Sequence, residues 1–254
     1  MTAFARYPSL LDRPVLITGG ATGIGMTLVQ AFADQGARVG FIDIDVPSAE
    51  SLVAQLGGAR HVPVFVAADL TDIDALDAAI AAVRARIGPI AVLLNNAAND
   101  QRHSIDATTS ASWDAGIAVN LKHQFFAAQA VRPQMRDSGG GSIINFGSIT
   151  WLVGDPDCIA YVTAKSAING LTRGLARELG PERIRVNSVM PGWIMTRRQV
   201  ELWLTPAGEK QIEERQCLRD RLYPPDVARM VLFLAADDSR MCTAQNYIVD
   251  GGWV

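Results

Sequence analysis

Apolar residues recur in short runs along the whole chain. Seven such runs predict strands: Val15–Thr18, Arg38–Asp43, Val62–Ala67, Ile90–Leu94, Ser142–Phe146, Ile184–Val189 and Tyr247–Val249. Between them, apolar residues spaced three or four apart predict helices with one buried face. Strands that alternate with helices indicate βαβ units with right-handed crossovers. We therefore expect an α/β fold: a doubly wound parallel sheet of about seven strands with helices on both faces, forming a single domain over 1–254.

Residues that favour helix starts and stops give the approximate bounds of the predicted helices. Five helices are predicted. The first covers 24–32 and is ended by Gly36, and the second is capped by Thr71 and ended by Gly88. The third runs from about Ser112 to Met135 and breaks or ends near Pro133, and the last two are Ala160–Leu179 and Pro224–Ala235. The segment 193–223 carries no clear strand signal. Segments of that length are often functional, so we predict a substrate loop or lid there. A helical excursion that packs elsewhere is the alternative.

Composition and charge exclude several classes of function. Of 254 residues, 49% are hydrophobic and 19% charged, as in globular proteins, and the net charge is −3 without a Lys/Arg tract. This gives no support for nucleic-acid binding, and no apolar run has the length to span a membrane. The N-terminal segment 1–14 has no apolar signal-peptide core, so we do not expect export.

The cysteines and histidines favour a reducing compartment without a metal site. Cys158, Cys217 and Cys242 are far apart and odd in number, which is typical of reduced thiols in the cytoplasm. The three histidines have no metal-ligand spacing, and His61 and His123 are interpreted as surface or core residues.

A glycine-rich turn lies between the first predicted strand and the first helix. Thr18–Gly25 contains Gly19, Thr22, Gly23 and Ile24 in a Gly-x3-Gly-x-Gly spacing. Glycines there let the backbone turn tightly and approach a pyrophosphate, which the N–H groups of the helix N-terminus then face. The strand–turn–helix setting predicts a Rossmann-like dinucleotide site.

Polar residues also occur at the carboxyl ends of the next predicted strands, which lie at the same edge of the sheet as the glycine-rich turn. Asp43 follows the second strand, where a carboxylate accepts hydrogen bonds from ribose hydroxyls and repels the 2′-phosphate of NADP. No Arg or Lys follows it, so we expect NAD rather than NADP; a helix-capping Asp is the alternative. Asp69 and Leu70 end the third strand, at a position suited to contact adenine. Asn96 and Ala97 end the fourth, beside the expected switch point of the sheet.

The spacing Ser148-x12-Tyr161-x3-Lys165 predicts a proton-transfer device. Tyr161 and Lys165 are four apart and share one face of a helix. An ammonium beside a phenol favours the phenolate and lowers the pKa of the phenol, so that it serves as a general base or acid. Ser148 lies near the end of the fifth predicted strand, where its hydroxyl is placed to hold a substrate oxygen.

In order and spacing, these motifs resemble the short-chain dehydrogenase/reductase family along essentially the whole chain. The resemblance adds Asn120 as the helix asparagine of the catalytic set, and Ala98 departs from the usual glycine. It implies that Tyr161 transfers the proton, Lys165 binds ribose and lowers the Tyr161 pKa, Ser148 orients the substrate oxygen and Asn120 holds a water. It also implies a homotetramer with 250–254 near an interface. The predicted cofactor residues are Gly19, Thr22, Gly23, Ile24, Asp43, Asp69, Leu70, Asn96, Ala97, Tyr161, Lys165, Pro191, Gly192, Ile194 and Thr196.

A narrower resemblance, to bacterial aldose 1-dehydrogenases of that family, rests on Asn99–His103, Ile144–Trp151 and Thr205–Glu209. Such enzymes oxidise a cyclic sugar at C1 to a lactone; D-xylose is the nearest substrate, with L-arabinose and D-galactose as alternatives. The predicted substrate residues are Asn99, Asp100, His103, Ser148, Trp151, Tyr161 and Trp193. Arg102 and Asp100 are alternatively an ion pair with each other or with a neighbouring subunit, and each tryptophan is alternatively packing.

Two rival functions stay open. One is a dehydrogenase of another polyol, secondary alcohol, hydroxy acid or 3-oxoacyl substrate; the polar cluster Asn99–His103 disfavours an acyl or steroid substrate. The other is a non-catalytic protein that senses NAD; the intact set of Ser148, Tyr161 and Lys165 argues against it.

Overall fold

The computed structural model of the protein describes residues 4–254. Residues 1–3, which belong to the predicted domain 1–254 and to the N-terminal segment examined for a signal sequence, lie outside the described residues. Seven strands are formed: β1 Pro14–Thr18, β2 Arg38–Asp43, β3 Val64–Ala67, β4 Val92–Asn95, β5 Gly141–Phe146, β6 Ile184–Pro191 and β7 Asn246–Val249. All seven lie on the predicted runs, within two residues at each end.

The strands form one parallel sheet in the order β3-β2-β1-β4-β5-β6-β7. The order reverses between β1 and β4, and ligands bind such sheets in the crevice beyond the carboxyl ends of the strands at this point. Thr18 and Asn95, the last residues of these two strands, are register partners. The predicted single-domain doubly wound sheet is confirmed.

Ten α-helices are formed in the described chain. They are α1 Gly23–Asp34, α2 Val46–Gln55, α3 Ile73–Ile87, α4 Ser110–Ile117, α5 His123–Asp137, α6 Thr150–Val153, α7 Ile159–Leu179, α8 Arg197–Leu202, α9 Pro206–Arg215 and α10 Pro224–Ala235. Apolar residues of α1, α2 and α10 form the core on one face, and those of α3, α5 and α7 form it on the other. Because both faces are covered, the strands are apolar on both sides.

Two predicted helix ends are wrong. Asp72, not Thr71, caps α3, because the Asp72 carboxylate accepts from the N–H groups of Asp74 and Ala75 while the Thr71 hydroxyl donates to Asp69 at 2.8 Å. Helix α5 passes through Pro133 and ends at Asp137. A proline inside a helix removes one hydrogen bond; here the buried side chains around it hold the last turn on the sheet.

The long predicted helix is interrupted by a π-helical turn. Ala118–Lys122 joins α4 to α5, and Asn120 lies in its middle. Single π-turns inside α-helices occur frequently at functional sites because the extra residue redirects neighbouring side chains. No helix in the range 4–254 has the length and hydrophobicity needed to cross a bilayer.

The segment 193–223 is largely helical. It contains α8 and α9, and an isolated bridge joins Ile194 to Leu222 at its two ends. Thr196 and Thr205 cap the two helices with their hydroxyls. The segment is therefore a helical excursion whose two ends meet, and its role as a substrate loop or lid stays a prediction.

Candidate active site

The glycine turn forms a tight cradle that side chains would fill. A Cβ on Gly25 would lie 1.7 Å from the Gly19 carbonyl oxygen, and one on Gly19 would lie 2.7 Å from Ala97 Cα. Gly19 and Gly23 also have positive φ, at 68° and 56°. The Thr22 side chain does not cap α1, so N–H groups of its first turn stay open to an anion. These features fit the pyrophosphate of a dinucleotide.

Residues after β4 hold this cradle in place. The Asn96 Nδ2 donates to the carbonyls of Thr18, at 3.0 Å, and Gly19, at 2.8 Å. The Thr18 hydroxyl accepts from the N–H groups of Asn96 and Ala97, at 3.0 and 3.1 Å. The two strand ends at the switch point are thereby joined by side-chain hydrogen bonds, which fixes the backbone where a ligand would approach.

Asp43 lies at the end of β2, beside the glycine cradle. Its Oδ2 accepts from the Ala21 N–H at 2.8 Å, and its Oδ1 accepts from the Asp45 N–H at 3.0 Å. These bonds aim the carboxylate at the cradle. Asp45, rather than Asp43, caps α2 through Ser48, so the capping alternative for Asp43 is wrong.

The remaining predicted cofactor residues surround the same edge. Leu70 is buried, and Asp69 accepts from the N–H and hydroxyl of Thr71 in a turn after β3. Pro191 ends β6, and a Cβ on Gly192 would lie 2.8 Å from Asp250. Ile194 is buried, and Thr196 Cγ2 is 3.4 Å from the Cβ position of Gly23. The segment after β6 thus begins against the glycine cradle.

Ser148, Tyr161 and Lys165 come together beyond the end of β5. Ser148 is 7% exposed, and its Oγ accepts from the Thr150 N–H at 3.2 Å. Lys165 Nζ lies 5.4 Å from the centre of the Tyr161 ring and donates to the Phe146 carbonyl at 2.7 Å. The lysine is 1% exposed. The predicted juxtaposition of the three side chains is present in the structure.

Burial dominates the protonation of this set. Burial, and then the charge of Asp100, raise the pKa of Tyr161, while the Ser148 hydroxyl lowers it. Burial lowers the pKa of Lys165 to about 7. In the protein alone, burial opposes the phenolate form of Tyr161, and the lowering of its pKa by Lys165 stays a prediction.

Asn120 holds the loop that follows β4. Its Nδ2 donates to the carbonyls of Asn99 and Gly116, both at 2.9 Å, and its Oδ1 accepts from the Asn99 N–H at 2.9 Å. The side chain is 1% exposed and forms three hydrogen bonds. It therefore fixes Asn99, a predicted substrate residue, by its backbone.

Asp100 ties this loop to helix α8. Its two oxygens accept from Arg198 Nε at 2.9 Å and from Gln199 Nε2 at 2.6 Å. Arg102 stacks on Trp203, with its guanidinium 4.3 Å from the ring centre. The alternative of an Asp100–Arg102 pair is thus wrong within the chain, because α8 brings Arg198 to Asp100 and the end of α8 brings an aromatic ring to Arg102.

The loop before α7 contacts the loop after β4, and we call the region bordered by Asn99–His103, α8 and this loop the opening. The His103 N–H donates to the Asp157 carbonyl at 2.6 Å, which joins the two loops. Besides burial, the charges of Asp100 and Asp155 raise the pKa of Tyr161. Burial raises the pKa of the Cys158 thiol to about 11, and the thiol stays protonated at neutral pH.

The two predicted substrate tryptophans differ in their surroundings. Trp151 lies on α6, three residues after Ser148, and is partly exposed. The Trp193 ring packs 6.5 Å from that of Trp253, and its edge is 2.7 Å from the Cβ position of Gly208 in α9. Trp193 therefore serves at least as packing between the segment 193–223 and the C-terminus.

Several residues at the site escaped the sequence analysis. Arg198 and Gln199 lie 98 and 99 residues from their partner Asp100, and Asp155 has no motif around it. His123, interpreted from the sequence as a surface or core residue, is fully buried, and burial and then the charge of Lys165 lower its pKa to about 3. In the part of the chain that the structure describes, no cluster of potential ligands could hold a metal ion.

Comparison with known proteins identifies relatives that are oxidoreductases. A family model described as "Enoyl-(Acyl carrier protein) reductase" matches residues 19–254. The "D-xylose 1-dehydrogenase" of Caulobacter vibrioides is 51% identical over 249 residues, covering 98% of both chains. A Rhizobium meliloti protein named "Probable galactose dehydrogenase" is 49% identical over 252 residues, covering 98% of this chain and 97% of its own.

A solved structure agrees with this. A crystal structure described as "a putative short-chain alcohol dehydrogenase from Sinorhizobium meliloti 1021" superposes with a TM-score of 0.92 at 30% identity, covering 97% of this chain and 98% of the other. The fold, the site and the relatives coincide over nearly the full length. The chain belongs to the short-chain dehydrogenase/reductase family, and it is an oxidoreductase that uses a nicotinamide cofactor.

Proposed function

We propose that the protein oxidises the C1 hydroxyl of a cyclic aldose to an aldonolactone with NAD. The observation that carries this proposal is the identity of about half of the residues, over nearly the whole chain, with proteins named D-xylose 1-dehydrogenase and galactose dehydrogenase. The polar opening beside Tyr161, with Asp100, Asp155 and Asn99, supports a substrate rich in hydroxyl groups, since each hydroxyl requires a hydrogen-bond partner.

The glycine cradle, Asp43 and the start of α1 would hold the dinucleotide, and Asn96 and Thr196 lie against the same cradle. A nicotinamide ring supplies the hydride acceptor when it is bound. The cofactor is proposed to be NAD because the Asp43 carboxylate repels a 2′-phosphate. Exposed Ile44 follows Asp43, and no Arg or Lys occurs among the next ten residues to offset that repulsion.

The protein's own groups handle the proton. Ser148 orients the substrate oxygen, and the Tyr161 oxygen accepts the hydroxyl proton as the C1–O bond becomes a carbonyl. Lys165 favours the phenolate by its positive charge, to the extent that it is protonated. Burial lowers the pKa of Lys165 to about 7, so its charge depends on pH near neutrality. Burial keeps the pKa of Tyr161 high, so the rate of oxidation rises with pH.

The segment 193–223 is proposed to be the substrate lid. Its helix α8 contacts the opening through Arg198, Gln199 and Trp203, which engage Asp100 and Arg102. Asn99, Asp100, His103, Trp151 and Trp193 are proposed as the residues around the sugar. Asp100 has a double role here, because it faces the site and also holds the lid.

A substrate panel tests the function. Purified protein is incubated with D-xylose, L-arabinose, D-galactose or D-glucose and with NAD or NADP, and formation of the reduced cofactor is followed by absorbance. Methyl β-D-xyloside is the matched control, because it has no free C1 hydroxyl. We expect turnover with at least one free aldose, none with the methyl glycoside, and a lactone detectable by trapping with hydroxylamine.

Other alcohols form the second arm of the panel. Xylitol, 2-butanol and 3-hydroxybutyrate represent the polyol, secondary alcohol and hydroxy acid classes. Turnover of one of these without turnover of any aldose would contradict the sugar assignment while leaving the oxidoreductase assignment intact. Cofactor binding without turnover of any alcohol would favour a sensor of NAD.

Two further expectations accompany this function. The homotetramer and the cytoplasmic location, both predicted from the sequence, are proposed here as well. Light scattering coupled to size exclusion measures the first, and fractionation of the source cells measures the second.

A further inference from the structure

Residues 250–253, which follow β7, form a tight turn that we call the Asp250 turn. The Asp250 side chain is 5% exposed, and its oxygens accept from the N–H groups of Gly252, Trp253 and Val254 at 2.8, 3.1 and 2.9 Å. Both glycines of the turn have positive φ, at 69° and 82°, which glycine adopts without steric cost. Hydrogen bonds to a carboxylate are stronger than those between neutral groups, so three of them fix the turn from within.

The Asp250 turn is bonded to the last part of the segment 193–223. The Leu218 N–H donates to the Gly251 carbonyl at 2.9 Å, and the Cys217 N–H donates to the Gly252 carbonyl at 3.3 Å. A Cβ on Gly252 would lie 2.8 Å from Cys217 Cβ, so the two stretches of chain are in close contact. The chain that leaves α9 therefore lies directly on the turn.

The same turn also contacts the first part of that segment. The Gly192 N–H donates to the Val249 carbonyl at 2.9 Å, and a Cβ on Gly192 would lie 2.8 Å from Asp250. The ring centres of Trp193 and Trp253 are 6.5 Å apart, and the rings are tilted by 54°. At this distance aromatic side chains attract each other. The Asp250 turn thus joins the two ends of the segment, and Trp253 is its contact with Trp193.

The Trp193 ring is held by contacts between apolar surfaces. Neither its indole nitrogen nor that of Trp253 has a hydrogen-bond partner among the atoms of residues 4–254. The edge of the Trp193 ring is 2.7 Å from the Cβ position of Gly208 in α9, so α9 and Trp253 both border the ring. Part of the ring remains exposed. Its orientation therefore depends on the shape of its neighbours and not on directed hydrogen bonds.

The orientation of this ring bears on sugar binding. Trp193 is a proposed substrate residue, and it directly follows Pro191 and Gly192, which are proposed cofactor residues. A flat aromatic face packs well against the C–H surface of a sugar only in one orientation. A ring that is already fixed there loses little side-chain freedom on binding, whereas a ring that turns freely has to be ordered at a cost in affinity.

We propose that Trp253 is a positioning residue for the substrate, because its ring fixes the orientation of Trp193 and thereby sets the affinity for the sugar. The proposal rests on the proposed function, in which Trp193 borders the sugar. Without the Trp253 ring, Trp193 is free to turn, and the sugar binds more weakly. Hydride and proton transfer keep their rates, since Trp253 is not part of the set of Ser148, Tyr161 and Lys165.

The test is a double-mutant cycle of Trp253→Ala and Trp193→Ala in the complete enzyme. For each variant, KM and kcat with the best sugar, the midpoint of the pH rise in kcat and the dissociation constant for NAD are measured. For Trp253→Ala we expect KM to rise roughly two- to tenfold, the usual strength of one aromatic contact, while the other three quantities stay at their wild-type values. In the Trp193→Ala background the same substitution should leave KM unchanged, because the ring that it releases is absent.

Two further variants are controls. Trp253→Phe keeps an aromatic ring and loses only an indole nitrogen that has no partner in residues 4–254, so its KM should stay close to the wild-type value. Val254→Ala changes the next residue, which is 50% exposed, and keeps the backbone N–H that donates to Asp250. It should behave as the wild-type enzyme does.

Three results would overturn the proposal. The first is an unchanged KM in Trp253→Ala whose circular dichroism shows a folded protein. The second is an equal rise of KM in the wild-type and Trp193→Ala backgrounds, because Trp253 then acts elsewhere, for example at a subunit interface. The third is a loss of NAD affinity as large as the rise of KM, which indicates a general loosening. If Trp253→Ala does not fold, Trp253→Leu enters the same cycle, and the same three results apply.

The substrate panel keeps this test separate from the test of the function. If the wild-type protein turns over another alcohol but no aldose, the proposed function fails, and the inference about Trp253 fails with it. If an aldose is turned over and Trp193→Ala keeps the wild-type KM, the proposed function stands, and only the inference about Trp253 fails.

Discussion

Two regions of the molecule are held together in different ways. One is the cofactor half, which forms the glycine cradle, and the other is the opening where the substrate would bind. In the cofactor half, residues 14–97, strands pair in the order of a doubly wound sheet and the cradle is fixed by backbone groups and by Asn96. At the opening, side chains of three separate segments meet: Asn99–His103, Asp155–Cys158 and 193–223. Asp100 and Arg198, which join two of these segments, are 98 residues apart in the chain.

Because of this difference, the two regions should tolerate amino-acid substitutions to different degrees. Gly19, Gly20 and Gly25 of the cradle have no room for a Cβ, as the 1.7 Å distance at Gly25 shows, and Gly23 has a positive φ that disfavours other residues. The opening depends on exposed or half-exposed polar contacts, each of which contributes little to stability. Substitution there is expected to change substrate choice with little cost to the fold, whereas the cofactor half is constrained in every position that approaches the ligand.

The largest effect is expected at the group that serves both halves. Tyr161→Phe keeps the ring but removes the oxygen that would accept the proton, so kcat should fall by about 10²–10⁴. Steady-state rates with the best sugar measure this, and Tyr247→Phe on β7 is the control. A variant that binds NAD normally yet turns over near the wild-type rate would remove Tyr161 from its role.

Asp43→Asn changes only the cofactor half. A hydrogen bond to a charged group contributes about 1.5–3 kcal/mol, so the ratio of kcat/KM for NAD over NADP should fall at least roughly tenfold. The order of preference among sugars should stay the same. Exposed Asp34→Asn at the end of α1 is the control. An unaltered cofactor ratio in Asp43→Asn would contradict the ribose contact.

Asp100→Asn changes the opening. The charge of Asp100 raises the pKa of Tyr161, so its removal lowers that pKa and the rise of oxidation rate with pH should begin at a lower pH. Loss of charged hydrogen bonds to Arg198, and of any contact to a sugar hydroxyl, should cost roughly 1–2 kcal/mol in kcat/KM for the sugar. Titration with NAD should give the wild-type dissociation constant. A pH profile that moves upward would contradict this assignment.

The smallest effect is expected from the pair that joins α8 to the opening. Arg198→Ala removes a partly exposed ion pair, for which about 0.2–1 kcal/mol is typical, and should raise the sugar KM by at most about fivefold. The neighbouring Arg197→Ala is a close control, because Arg197 pairs with Glu201 within the same helix. Equal KM values in the two variants would show that the Asp100 contact does not restrain the lid.

The strands and helices that were predicted correctly are mostly those marked by a local pattern of apolar residues and helix-end signals. The run Arg38–Asp43 and the helix Pro224–Ala235 match the structure at both ends, because apolar periodicity and proline act within a few residues. Thr71 was assigned as a cap although Asp72 is the cap, since two adjacent residues both have suitable side chains. The π-turn at Ala118–Lys122 left no local signal at all.

The sequence by itself determined the sheet, the glycine cradle and the set of Ser148, Tyr161 and Lys165, because each depends on spacing along one element or on consecutive elements. Only the tertiary structure decided the burial of Ser148 and Lys165 and the contact of Asp100 with Arg198. These depend on which distant side chains meet and on how much water they exclude. Neither the distance between two side chains in space nor the exclusion of water around them can be predicted from their spacing along the chain.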